Sequence, residues 1–507
     1  MRNQKLNQLK NETDTHKPAA GIFFFLLPIL FMLFFFLIIQ KNPMDFHLVF
    51  SDELDYWAET ATLIKRGLFN PNAGYFGYSF GSYARFLYFG AHGFFSLIPN
   101  VVFSIFAPLN QVAVLLVNAL FTGISLSTSY YLLGSFRKTL VIALTLFAFY
   151  PFYLYFQTGM LETLFYAGSI IMAVLCVKCF APDSRQQSFL NYYFWIVILF
   201  SLFRLSNLVL LIPAFFVEIG LLKRKTLTVL IKYGAISVVV ALASIVFAAT
   251  YPWGFLGELG KSTDKLGMLL AHTASNIKLL FDIKAGYALE ILPRFLFLFW
   301  LIFLCVVYFA TKKHNPKESN LHLLSIILAM LALLFINITF YDIGSFRDLR
   351  VLSPVLVFSM IACFLFPTDK RFKNLVFGLT AVFLLASNSV VAIERGLVWD
   401  LFISGRYEAT NPAAILKDVR YDPEAKTRWE NTAYVDLDAY GGMDWQNYDP
   451  GIGLMVMQST ELTNFDAANS TSLLQAKYII TYVKLEIPGY ELKTNISNLK
   501  LYGKADK

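Results

Sequence analysis

Four carboxylates stand within eight residues at one place in this chain. The stretch 50–69 reads FSDELDYWAETATLIKRGLF and carries Asp52, Glu53, Asp55 and Glu59. A carboxylate held beside a hydroxyl can take its proton as the oxygen attacks an electrophile. Asp52 and Glu53 are the candidates for that work, with Tyr56 at helical i+3/i+4 spacing on a shared face. Asp55 and Glu59 read more simply as acids that solvate a helix end or pair with Lys65 and Arg66. Other polar groups stand at the ends of apolar runs: Glu162 in QTGMLETLF, Arg204 in FRLSN, and Arg347 and Arg350 in GSFRDLR, where Asp348 lies between them. His92 follows a Tyr-rich stretch, and Lys261, Lys265 and Lys278 are weaker candidates. Ionisable groups at membrane depth are costly and are usually paired or functional. Arginine grips a phosphate with two N–H groups and stabilises the charge that grows as the phosphate leaves. Carboxylates at one place and arginines at others suit transfer from a phosphate-bearing lipid.

The rest of the sequence says what must hold these groups. Of 507 residues, 57% are apolar and only 15% are charged, against roughly a quarter charged in a soluble protein. The charges cluster between long apolar runs, as in a polytopic membrane protein, where each span needs about 20 apolar residues. The net charge of +8 sits in short loops, where it reads as a topology signal and not as a nucleic-acid surface. Residues 1–20 form a basic cytoplasmic tail. The run 21–39 lacks a small-x-small cleavage site and reads as a retained anchor. Cys176, Cys179, Cys305 and Cys363 all lie in or at the ends of apolar runs, so the polar segments fold without disulfides.

Spans are expected near 21–39, 111–133, 139–156, 161–180, 189–203, 205–221, 228–250, 291–311, 321–341, 351–366 and 373–393, about eleven in all. The segment 85–108 is apolar enough to cross but contains Arg85, His92, Pro99 and Asn100. If it lies along the interface as an interfacial or re-entrant helix, every Lys/Arg cluster falls on the side of the N-terminus. Those clusters are Arg137/Lys138, Lys178/Arg185, Lys223–Lys225 with Lys232, Lys312/Lys313/Lys317 and Lys370/Arg371/Lys373. The acidic loop, Glu162, the 251–290 loop, the 341–350 loop and the tail then fall on the other side. The positive-inside rule selects this arrangement. From residue 394 the composition turns mixed polar, and 433–438, 477–483 and 499–502 read as strands. The expected fold is therefore an all-α polytopic membrane domain (21–393), whose outer loop 40–110 carries the acidic motif. A small exterior α/β domain follows at 394–507.

SDELDYWAETATLIKRGLF resembles the first outer loop of the GT-C class of membrane glycosyltransferases. That class includes the protein O-mannosyltransferases and the lipid A aminoarabinose transferases. Asp52, Glu53, Tyr56 and Gly67 match the loop; YPFYLYFQTGMLETLF, FRLSNLVLLIP and FRDLRVLSP resemble later landmarks, with Glu162, Arg204, Arg347, Arg350 and Pro354. Where family members often carry His-Pro-Pro, this chain has AHGFF with His92 and no prolines after it. The resemblance implies a polyprenyl-phosphate-linked sugar donor, an inverting single displacement and a catalytic acid at Asp52 or Glu53. It leaves open a divalent metal such as Mg or Mn on those two acids. The acceptor would be a glycan, lipid or protein at the exterior face of the cell membrane. Asp52 is expected to be the base, with Glu53 positioning the acceptor or a metal. Glu162 and Tyr56 would line the cavity with His92, and Arg204 with Arg347 or Arg350 would hold the phosphate. The rival reading is a transporter, flippase or non-catalytic binder of a lipid-linked saccharide. Such a protein would more often show paired halves with Gly/Pro-interrupted spans, and none is found.

Overall fold

The structure is a computed structural model. It describes residues 17–48, 53, 56, 60, 77–80, 83–86, 111–181, 184–247, 263–284, 287–341, 347–366, 370–407, 413–436, 439, 443–444, 447–449, 451–457 and 475–505. The membrane part is helical: α1 Lys17–Ile39, α2 Gln111–Leu133, α3 Phe136–Phe147, α4 Tyr150–Phe156, α5 Glu162–Phe180, α6 Gln186–Phe203, α7 Thr226–Phe247, α8 Lys265–Leu280, α9 Ala288–Thr311, α10 Lys317–Phe340, α11 Arg347–Leu365 and α12 Lys370–Ile393.

Among the described residues, seven helices are long and apolar enough to cross a membrane, or eight if α3 and α4 count as one span bent by 76°. The remaining expected spans are shorter or broken. Residues 205–221 form a 3-10 turn, a short α-helix and a π-helical turn in succession, and Pro213 stands within the α-helical part. In the bent pair, Pro151 sits in the first turn of α4, where its missing N–H costs nothing. Of the roughly eleven expected spans, the described residues thus show seven or eight full-length ones and several shorter helices. The chain is a multi-pass membrane protein.

The middle of the bundle is α5. It is apolar all round and buried all round, the pattern of a helix with no solvent or lipid face. Its 19 residues rise about 28 Å, the thickness of the hydrocarbon core. It packs against α2, α6 and α11. By contrast α1, α7 and α12 lie at the rim with most of their apolar side chains exposed. The α1–α2 crossing is close enough that a Cβ on Gly123 would run into the Phe25 carbonyl oxygen.

The polar end of the molecule carries a seven-stranded sheet, with β1 Gly77–Phe80, β2 Tyr83–Phe86, β3 Thr432–Asp436, β4 Gly453–Met457, β5 Tyr478–Thr481, β6 Tyr490–Ile496 and β7 Leu499–Lys504 in the order β2-β1-β4-β3-β5-β7-β6. The centre, β4-β3-β5, is parallel, and Asp436 Oδ2 accepts from Thr481 Oγ1 at 2.8 Å across it. The expected strands near 433–438, 477–483 and 499–502 are β3, β5 and β7. Two were missed in the tail. β6 is an edge strand with mostly exposed side chains, joined to β7 through Ser497 and Asn498 in left-handed backbone, the geometry of a tight hairpin turn. β4 (GLMVM) is only five residues long. Arg85, expected on an interfacial helix, is instead on β2, paired with Tyr78. The β1–β2 hairpin joins the tail sheet through β1 and β4 (Gly77↔Met455). Loop and tail therefore lie on one face of the bundle and share one sheet.

Candidate active site

Glu162 is the first residue of α5 and is fully buried. Arg204 terminates α6, where extended backbone turns its side chain back toward α5. Arg350 lies one turn into α11. Arg204 Nη2 and Arg350 Nε both donate to Glu162 Oε1, at 2.7 and 2.6 Å. Arg204 Nη1 also donates to the Arg350 carbonyl, and its guanidinium lies 4.0 Å from the Phe165 ring centroid. Three helix ends are thus tied at one point. Two guanidiniums share one carboxylate oxygen. The carboxylate is enclosed, while the arginine side chains keep 16% and 23% exposure.

A second ion pair lies beside it. Glu53 and Arg406 are both fully enclosed, with Arg406 Nη1 on Oε1 at 2.7 Å and Nη2 on Oε2 at 3.0 Å. This two-pronged geometry is the strong form of a charged hydrogen bond. Glu53 Oε1 also accepts from the Gly159 N–H at 2.5 Å. Arg406 follows α12 in the segment Gly405–Tyr407. It clasps the acidic loop from below: its carbonyl accepts from His47 N at 2.9 Å, and its guanidinium lies over Phe46. Burial lowers the His47 pKa below the ordinary histidine value; the Arg406 cation adds to this and Asp45 opposes it.

The two carboxylates flank one turn. Gly159 bonds Glu53, and Glu162 comes three residues later. The turn is fixed from α2, where Asn118 Nδ2 donates to the carbonyls of Phe156 and Thr158 at 3.1 and 2.8 Å. Thr158 Oγ1 donates to the Tyr155 carbonyl at 2.8 Å. These bonds satisfy backbone groups that α4 leaves unpaired where it stops.

Several expected residues find their places. Glu53, Tyr56 and Thr60 are helical and buried; their spacing puts them on one face. Glu162, Arg204 and Arg350 meet as expected, although each arginine is already bound to the carboxylate. Arg347 is the first residue of α11; its side chain lies outside the described residues, as do Asp52, Asp55, Glu59 and His92. Lys265 and Lys278 lie on α8, outside both ion-paired groups; Lys261 is not described. Arg406 and Asn118 were not anticipated. As for a divalent cation, Glu53 has both oxygens committed to Arg406 and the Gly159 N–H and does not fit as a free ligand. Among the described residues no three His, Cys, Asp or Glu side chains come together as a metal site.

The sequence matches no protein-family model and no curated protein. The fold does have a counterpart among solved structures. It is similar to the oligosaccharyltransferase of the archaeon Archaeoglobus fulgidus in its apo form, with a TM-score of 0.50 over 92% of this chain and 69% of that one. Only 12% of the residues are identical, so the likeness speaks for the fold alone.

Proposed function

We propose that this protein is a glycosyltransferase that moves a sugar from a polyprenyl-phosphate donor to an acceptor at the exterior membrane face. The observation that carries this reading is the Glu162–Arg204–Arg350 group, two partly exposed arginines gathered on one buried carboxylate where three packed helices end. An anionic head needs such a place at the rim of the hydrocarbon, and a soluble substrate does not require one. The likeness to an oligosaccharyltransferase fold supports a sugar as the group transferred.

In this reading Asp52 is the base. Its neighbour Glu53 is pinned by Arg406 and Gly159. The acceptor hydroxyl attacks the anomeric carbon while its proton passes to Asp52. The bond from that carbon to the phosphate oxygen breaks with inversion. The charge left on the polyprenyl phosphate is stabilised by Arg204 and Arg350, with Arg347 adjoining on the same helix. We assign Tyr56 and His92 to binding the substrates, and the sheet built from loop and tail to choosing the acceptor. Orientation follows from the charge clusters: N-terminus in the cytoplasm, loop and tail outside.

The test uses the purified full-length protein in liposomes with a panel of polyprenyl phosphates carrying labelled sugars. Release of free polyprenyl phosphate with inversion at the anomeric carbon supports transfer. Passage of the intact donor across the bilayer, with no bond broken, would replace the reading with a flippase.

A further inference from the structure

The end of the bundle opposite Glu162 holds another buried carboxylate, one that sugar transfer does not use. α5 runs from Glu162 to that end, and α6 starts back from it. Glu218 lies there in the π-helical turn Val217–Leu221 and is 1% exposed. Its Oε2 accepts from Arg224 Nη1 at 3.0 Å; its Oε1 accepts from Lys232 Nζ at 2.6 Å and Tyr233 Oη at 3.1 Å. Its carbonyl accepts from the Arg224 N–H, and Arg224 Nη2 donates to Gln187 Oε1 at 3.0 Å.

More cations crowd this hub than it can neutralise. Lys223 and Lys225 are exposed on either side of Arg224. Lys317 donates to the Gly220 carbonyl at 3.1 Å, three residues before Lys223. Lys223 is held in left-handed backbone, φ 56°. Glu318 offsets part of this charge. Five cations against Glu218 and Glu318 leave +3. Arg224 and Lys232 keep 44% and 40% of their side chains exposed, so the surplus is accessible.

An apolar track begins directly beside the cluster. Leu227, Leu230 and Ile231 share one face of α7 and are 68%, 57% and 61% exposed. A free phosphate would fill the basic cluster and leave this track unused. A phospholipid matches both parts.

We propose that this end of the protein binds an anionic phospholipid of the cytoplasmic leaflet. Lys223, Lys317 and the open edges of Arg224 and Lys232 take the headgroup phosphate, and the acyl chains lie along Leu227, Leu230 and Ile231. Basic clusters between spans on the cytoplasmic side hold such headgroups by charge. The site stands independently of the transfer reaction.

The experiment is native mass spectrometry of the full-length protein in detergent, with phosphatidylglycerol, phosphatidylcholine or inorganic phosphate added in separate arms. The wild type is expected to retain phosphatidylglycerol and not phosphatidylcholine. In the double variant Lys223→Gln, Lys317→Gln, retention is expected to weaken roughly twenty-five-fold, about fivefold for each lysine removed. Neither lysine touches Glu218, so its buried pairs survive in the variant, and the wild-type comparison of the two lipids does not depend on it. Equal retention of both lipids, an unchanged double variant, or displacement of the lipid by inorganic phosphate would each overturn the proposal.

Discussion

Glu53 and Arg406 stand 353 residues apart in the chain and meet as a fully buried, two-pronged ion pair. Through it the segment after the last membrane helix locks the acidic loop that follows the first. Removing one partner leaves the other charge buried and alone, which costs about 3–5 kcal/mol. Arg406→Leu and Glu53→Leu are each expected to lower the melting temperature sharply in detergent. The double variant should recover most of that loss, since an apolar pair leaves no orphaned charge. A double variant that melts as low as the singles would show that the pair is not the clasp.

The Glu162 group makes a kinetic prediction. Arg204→Lys or Arg350→Lys keeps the charge and removes the planar fork. Each is expected to raise the donor KM by roughly ten- to a hundredfold, the worth of a lost hydrogen bond to a charged group, with a smaller effect on the acceptor KM. Equal effects on both substrates would remove these arginines from the phosphate site.

His47 gives a pH dependence. Its pKa in the folded protein is below the ordinary value, from burial first and the Arg406 cation next. The unfolded chain therefore binds more protons than the folded one between the two values. Stability is highest above about pH 6.5 and falls as the pH drops through that window. Melting curves from pH 8 to pH 5 should show this fall, and His47→Gln should flatten the part of it that histidine supplies. Here ~pH 8 and ~pH 5 simply bracket the ordinary histidine value.

Asn118 holds the turn that carries Gly159. Asn118→Ala leaves the Phe156 and Thr158 carbonyls without that donor, at a cost of about 1–3 kcal/mol. Asn118→Asp turns an acceptor toward two acceptors and is expected to be worse than alanine. Thermal melts of the two variants rank them, and the opposite order would mean that Asn118 acts through its size alone.

The parts of this arrangement that were legible in the sequence share a cause. Glu162, Arg204 and Arg350 stand out because ionisable side chains interrupt apolar runs. The lysine clusters on the opposite side are visible for the same reason, and Gln187, Gly220, Arg224 and Lys317 do meet at one end of the bundle. Arg406 gave no such contrast: it sits in mixed polar sequence, where one more arginine is ordinary. Its partner is more than three hundred residues away, a pairing that no local pattern encodes. The β1–β2 hairpin was hidden differently. GYSFGSYARF is rich in aromatic residues, and at a membrane boundary that composition fits an interfacial helix as well as a strand. Only pairing with β4 decides between them. The segment 205–221 has the composition of a crossing helix, whereas its backbone is broken into three short helical pieces.

The central claim is that Asp52 takes the acceptor's proton while the arginine pair holds the donor phosphate. The most direct measurement is single-turnover sugar transfer by Asp52→Asn, alongside the affinity of the same variant for the donor lipid. The chemical step is expected to slow by roughly 10²–10⁴-fold, with donor affinity within about twofold of wild type because Arg204 and Arg350 are untouched. Transfer at the wild-type rate, or a loss explained entirely by failure to bind the donor, would contradict the account.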